Sequence, residues 1–301
     1  MDPLSDVLSL LKLRSYISGA VSAAGDWCFD FPPHEGIKFR AVLSGSCWVQ
    51  VDGMKEPFLA QAGDCFLLPL GRAVRVGTRF DIPPLDIKTM IAQNTPGDLM
   101  VVNGGGEFYS IGGYCLLEGD HAGILLGMLP PVLQIQGEQG KSVLHWCVEH
   151  MREEMREPQP GGFLIAQQLA QMLLVQALRA HLLESGAGVG WLFALSDKQL
   201  SASITAMHAE PARPWTVEQL AHAAGMSRTA FALRFKDRVG QTPMEYLTRW
   251  RMLLADDRLR HSREPVSAVA LSLGYTSESA FNTAFKRVMG AAPRRHTRRA
   301  A

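Results

Sequence analysis

No apolar run in this 301-residue chain reaches the roughly 18 residues that a membrane-spanning helix needs, so no span is expected. Cysteine is scarce: Cys28, Cys47, Cys65, Cys115 and Cys147 are odd in number and widely spread. That pattern does not make a disulfide framework and fits reduced thiols in a cytoplasm. The first residues, MDPLSDVLSLLKLRSY, carry an acid at position 2 and no basic start, so no secretion signal is expected. Clustered metal ligands are also lacking. His145, Cys147 and His150 in "HWCVEH" fall at i, i+2 and i+5, which on a helix do not share a face. They read as a partly buried helix with surface histidines.

What is present is unevenly charged. Residues 1–209 hold 14 Lys/Arg against 21 Asp/Glu, and residues 210–301 hold 16 against 8. A basic C-terminal third beside an acidic remainder suggests a polyanion-binding module attached to something else.

The basic third contains one pattern twice. "TVEQLAHAAGMSRTAFALRFKDRVGQTP" begins at residue 216 and "PVSAVALSLGYTSESAFNTAFKRVMGAAP" at residue 265. Val217, Leu220, Ala221 and Gly225 match Val266, Val269, Ala270 and Gly274 at an offset of 49; Phe231, Phe235, Gly240 and Pro243 match Phe281, Phe285, Gly290 and Pro293 at 50. Each copy reads as a helix, a turn at the glycine and a second helix, which is a helix-turn-helix unit. Thr216 with Gln219, and Thr242 with Glu245, are predicted capping boxes. Pro265 suits a first helical position, and Ser227 and Ser277 suit N-caps. The helix opening at Pro243 should link the two units rigidly.

At about 100° per residue, the paired phenylalanines mark the buried side of each second helix. The opposite side carries Thr229, Ala232, Leu233 and Lys236 in the first unit, and Ser279, Asn282, Thr283 and Lys286 in the second. Arg228 and Glu278 stand near the N-terminal ends. Hydroxyls and an amide in the second unit can hydrogen-bond base edges, and the methyl-rich first face suits thymine methyl groups. Arg234, Arg238, Arg249, Arg251, Arg287, Arg294 and Arg295 read as phosphate clamps or solvent-facing charges.

The two segments together closely resemble the DNA-binding domain of the AraC/XylS family of bacterial transcription regulators, over roughly residues 195–300. The resemblance implies two helix-turn-helix units reading adjacent major-groove segments of promoter DNA. Its reading positions fall on Arg228, Thr229, Ala232, Leu233 and Lys236, then Glu278, Ser279, Asn282, Thr283 and Lys286. Ala232 and Leu233 depart from the polar residues that family members often carry there. The family also implies a dimer, activation more often than repression, and RNA polymerase as a partner.

Residues 25–120 differ in kind. "FRAVLSGSCWVQVDG", "PFLAQAGDCFLLPLG" and "DIKTMIAQNTPG" are short strand-like runs between Gly and Asp turns, which suggest a β-sandwich or barrel. "AGDCFLLPLG", with "PPHEGIKFRAVLSGSCWVQVDG" before it and "LLGMLPPVLQI" after it, resembles the cupin-type sensor domain found ahead of AraC-type DNA-binding domains. Arg40 and Val74 stand where that subgroup often has His, so neither a metal nor catalysis is expected. The barrel lumen is the default pocket for a small-molecule effector. Phe39, Arg40, Trp48 and Phe66 are its expected lining, with Arg40 placed to pair an acidic ligand or to sit as a strand-surface charge.

The fold class is therefore α+β: a cupin-like barrel with helices over 1–184, a linker over 185–195, and an all-α double helix-turn-helix domain over 196–301. Ser196 and Gln199 are predicted to cap that domain's first helix. The apolar helix over 162–184 must bury against something, either a second copy or its own barrel. No cofactor is expected. Two alternatives to a ligand-responsive regulator stand beside it: a redox sensor using Cys28, Cys47 and Cys65, or a cupin enzyme fused to a DNA-binding domain.

Overall fold

The computed structural model describes residues 2–10, 14–85, 87, 90, 99–116, 129–135, 138–157, 159–184, 189–262 and 264–293. The chain divides into two compact units, Leu13–Glu184 and a second that joins Met1–Lys12 to Ser185–Ala301.

The first unit is a pair of facing sheets. Its strands are β1 (Arg14–Ala23), β2 (Cys28–Phe31), β3 (Ile37–Ser44), β4 (Ser46–Val51), β5 (Phe58–Gln61), β6 (Cys65–Leu68), β7 (Val74–Gly77), β8 (Leu99–Val102), β9 (Phe108–Leu116) and β10 (Leu133–Ile135). One sheet runs β10-β6-β3-β9-β1-β8 and the other β2-β7-β4-β5. Period-two alternation builds the interior between them. Along β4, Cys47, Val49 and Val51 point in. They meet Val42, Phe66 and Phe108 from the larger sheet. Most of the third expected strand, residues 86–97, lies outside the described residues; Ile87 and Met90 are helical rather than extended. Of "LLGMLPPVLQI", residues 125–128 also lie outside them, and its end forms β10.

The outer face of the larger sheet is covered by helix α3 (Gly162–Glu184), which also packs on α2 (Glu138–Arg156). Leu169, Leu173, Leu174 and Leu178 of α3 are buried. The helix thus buries its main apolar face on its own barrel, leaving Phe163, Leu164 and Ile165 exposed at its start. Cys147 of α2 is buried while His145 is exposed, so the "HWCVEH" residues do not converge.

The second unit is helical. It contains α1 (Pro3–Leu10), α4 (Trp191–Ala194), α5 (Lys198–Ala209), α6 (Val217–Ala223), α7 (Arg228–Val239), α8 (Pro243–His261), α9 (Val266–Ser272) and α10 (Glu278–Met289). The tandem copies match in detail: α6 and α9 each have 7 residues, and α7 and α10 each have 12. The extra residue of the second copy therefore sits in the turn, between Gly274 and the cap at Ser277. Both capping boxes form, with Pro243 in the first turn of α8. Ser227 and Ser277 accept from Ala230 N and Ala280 N. Gly240 and Gly290 end α7 and α10 in the left-handed conformation.

Three local expectations shift. Pro265 is the N-cap of α9, one residue before the helix, because its extended backbone suits that place. Asp197, not Ser196, caps α5, accepting from Gln199 N and Leu200 N. A carboxylate there reaches two backbone donors, while the Ser196 hydroxyl donates back to Phe193 O. Residues 191–194, expected as linker, form α4, all four of them buried; residues 185–188 lie outside the described residues.

Helix α1, assigned from sequence to the barrel, packs on α5 and α8. Its Asp6 lies 3.2 Å from His208 Nδ1. His208 Nε2 is 2.8 Å from the Tyr246 hydroxyl, and the imidazole stacks on Trp250 with ring centroids 3.9 Å apart.

Candidate nucleic-acid interface

Each reading helix is set by a phenylalanine pair on its inner side. Phe231, Phe235, Phe281 and Phe285 are fully buried. Burial of each side chain contributes about 1.5–3 kcal/mol, enough to fix the rotation of helices this short. The rotation leaves the expected faces outward. In α7, Arg228, Thr229, Leu233 and Lys236 are exposed and Ala232 is half-buried. Leu233 is 68% exposed. In α10, Ser279, Thr283 and Lys286 are exposed, while Glu278 and Asn282 are half-buried. Glu278, Ser279, Asn282, Thr283, Lys286 and Ala292 line one open depression of about 460 Å³.

The hydroxyl of Thr283 donates to Ser279 O at 3.0 Å. Its proton is thus used within the helix, leaving oxygen lone pairs and a methyl group to face outward.

Two of the arginines read from sequence as phosphate clamps or solvent-facing charges do other work. Arg234 pairs with Asp197 at 2.6 Å and donates to Gln199 Oε1, tying α7 to the start of α5. Arg251 donates to Pro211 O at 2.5 Å and Arg213 O at 2.7 Å, pinning the loop before α6. Spacing alone gave no sign of either, because both partners are remote in sequence. Arg249 is half-buried, and desolvation lowers the pKa of its guanidinium. Arg287 is exposed; Arg294 and Arg295 lie outside the described residues.

In the barrel, two of the four expected lumen residues point elsewhere. Arg40 pairs across with Phe66, and Phe39 with Leu67. Residues opposite each other share a face, and Phe66 belongs to the interior cluster. Arg40 and Phe66 therefore face the lumen, and Phe39 faces the side covered by α3. Trp48 is on the outer side of β4, 41% exposed. Both were misassigned because a large aromatic on a strand signals burial, not which face is buried.

The thiols give the redox alternative no support. All five are buried. Desolvation raises the pKa of Cys28, Cys65 and Cys147, and pushes Cys47 up to about 12. A thiol held protonated is a poor nucleophile. Native protein is expected to react with a thiol reagent such as 5,5′-dithiobis(2-nitrobenzoate) only as it unfolds. Rapid labelling of Cys28, Cys47 or Cys65 in folded protein, read by mass spectrometry, would restore the redox reading. Among the described residues, no group of three or more His, Cys, Asp or Glu is placed to hold a metal.

Comparison with known proteins agrees with this geometry. Residues 2–183 match the model of a Cupin family, and residues 220–299 that of a Helix-turn-helix domain. A putative AraC-like transcription regulator of Streptomyces antibioticus is 39% identical over 296 residues, covering 97% of each chain. The HTH-type transcriptional regulator AlkR of Acinetobacter baylyi is 29% identical over 307 residues, covering 98% of this chain and 99% of its own. Among solved structures, the DNA-binding domain of AdpA in complex with a target DNA is 30% identical, covering 32% of this chain and 87% of that one, with a TM-score of 0.31. With a cupin domain ahead of two helix-turn-helix units, the chain belongs to the AraC-like family of transcription regulators.

Proposed function

We propose that the protein binds promoter DNA in the cytoplasm as a homodimer, activates transcription together with RNA polymerase, and responds to a small-molecule effector in the barrel. It regulates and does not catalyse. The observation that supports this best is the matched outward placement of the two recognition faces on α7 and α10. Ser279, Asn282 and Thr283 would read base edges, and Leu233 and Ala232 would meet thymine methyl groups. Arg228, Lys236, Lys286 and Arg249 would supply charge toward the backbone. Glu278, in the first turn of α10, would accept from a cytosine amine. The exposed Phe163, Leu164 and Ile165 are the surface offered to a second copy.

The assigned faces are tested on a duplex selected by the protein from random sequence, with fluorescence anisotropy as readout. Asn282→Ala should weaken the selected site by about 1–3 kcal/mol and leave a scrambled duplex nearly unchanged. Arg249→Ala should weaken both alike and reduce the salt slope by about 1. Equal losses on both duplexes for Asn282→Ala would remove α10 from the reading surface.

A further inference from the structure

The barrel interior holds two cations that the described protein leaves unpaired. Lys38 and Arg40 alternate on β3 and pair across to Leu68 and Phe66, both of the interior cluster. Both side chains therefore point between the sheets. Arg40 donates to the buried Ser110 hydroxyl at 2.8 Å. Opposite it, Gly112 leaves room, since a Cβ there would lie 3.1 Å from Arg40 Nη2. Lys38 Nζ lies 4.4 Å and the Arg40 guanidinium 5.7 Å from the centre of one ring, Phe31.

Among the described residues, no carboxylate forms an ion pair with either. Burial, with a smaller contribution from the Arg40 charge, lowers the Lys38 pKa to about 8. One aromatic face and one hydroxyl offset only part of the cost of partly burying two like charges. His34 stands close enough to feel Lys38, and burial lowers its pKa. Its ring nitrogens are removed from solvent, with the Leu68 backbone as a polar neighbour but no well-formed hydrogen bond. Among the described residues, the two cations at this spot have a hydroxyl and an aromatic face but no anionic partner.

We propose that Lys38 and Arg40, with His34 beside them, form the anion-binding end of the barrel's ligand site, and that its ligand is a small organic anion with a carboxylate on an apolar body. A carboxylate offers Arg40 a two-oxygen partner and neutralises charge that the fold leaves exposed to itself. The adjoining wall, with Phe66 and Val42, is apolar. The assignment rests on the reading of the barrel as an effector domain, but its test does not depend on DNA.

The probes are 2-naphthoate and its uncharged analogue 2-naphthamide, titrated calorimetrically into the full chain. Wild type is expected to bind naphthoate at least about tenfold more tightly than naphthamide. Lys38→Met and Arg40→Gln should each remove most of that preference, weakening naphthoate far more than naphthamide. Lys38→Met should also melt at a higher temperature than wild type without ligand, because the unpaired charge is gone. A purely structural role for Lys38 would lower the melting temperature. No naphthoate binding by wild type, a preference that survives both substitutions, or tighter binding of inorganic phosphate than of naphthoate would each overturn the proposal. Binding to the selected duplex is followed in parallel. Absence of any naphthoate preference in wild type that still binds the selected duplex sinks the anion site alone. Naphthoate binding that leaves DNA binding unchanged keeps the anion site and sinks effector control.

Discussion

Gly274→Ala should destabilise the second helix-turn-helix unit by about 2–5 kcal/mol, while the equivalent Gly225→Ala costs only about 1–2 kcal/mol. Both glycines turn the chain between the two helices of their copy, with φ of +83° and +63°. Each substitution thus incurs the left-handed strain of an L residue. The surroundings separate them. A Cβ at 225 meets nothing within 4 Å, whereas a Cβ at 274 would lie 2.1 Å from Ala212 O. That carbonyl cannot yield easily, because Arg251 holds the carbonyls on either side of it, at Pro211 and Arg213. Relief therefore means moving the turn or breaking charge-assisted hydrogen bonds. Urea unfolding followed by far-ultraviolet circular dichroism should show the contrast, and Gly274→Ala should also lose its selected duplex. Equal small losses from the two substitutions would mean that the turn at 274 relaxes freely, and the close approach to Ala212 would carry no weight.

The contrast also marks what sequence reasoning can reach. The offset of 49 residues changing to 50 located an insertion between Gly274 and Phe281, and the equal helix lengths place it in the turn. The caps at Thr216, Ser227, Thr242 and Ser277 were legible because capping is a local contest among backbone donors within three residues. The faces of α7 and α10 were legible because one helix period and two buried phenylalanines fix a rotation. Contacts that are distant in the chain were not. Nothing near Gly274 points to Ala212, and nothing near Arg234 points to Asp197. The barrel lining failed for a related reason. β3 is covered on both faces, so its alternation of Lys38, Phe39 and Arg40 does not say which side holds the lumen. The polar pair faces inward there, against the usual rule, and that inversion is what motivates the proposed anion site. The place of α1 was illegible too, since an eight-residue helix carries no signal of its docking partner.

That docked helix leads to the other large effect: between pH 6.5 and pH 4 the helical unit should lose stability on the order of 3 kcal/mol, and His208→Gln should remove most of that slope. The His208 side chain is fully buried. Desolvation holds its pKa down to about 4 against an ordinary 6.5, although Asp6 pulls the other way. The folded state therefore binds a proton less readily than the unfolded chain. Stability is complete above about pH 6.5 and is lost as pH falls toward 4, where both states are protonated. The remaining groups at the imidazole do not reverse this sign. Burial keeps Tyr246 protonated throughout, and Trp250 carries no charge. A neutral imidazole can donate from Nδ1 to Asp6 and accept the Tyr246 proton at Nε2. A protonated ring must donate at both nitrogens, so Tyr246 must turn its hydroxyl to accept, and the buried charge sets the cost. Because Asp6 belongs to α1, acid should loosen that helix from α5 and α8 before the phenylalanine cores fail. Hydrogen exchange at pH 7 and pH 4.5 reads this directly, with amides of residues 6–10 losing protection ahead of those in α7 and α10. Parallel thermal-unfolding slopes for wild type and His208→Gln across this window would show that His208 does not link pH to the fold.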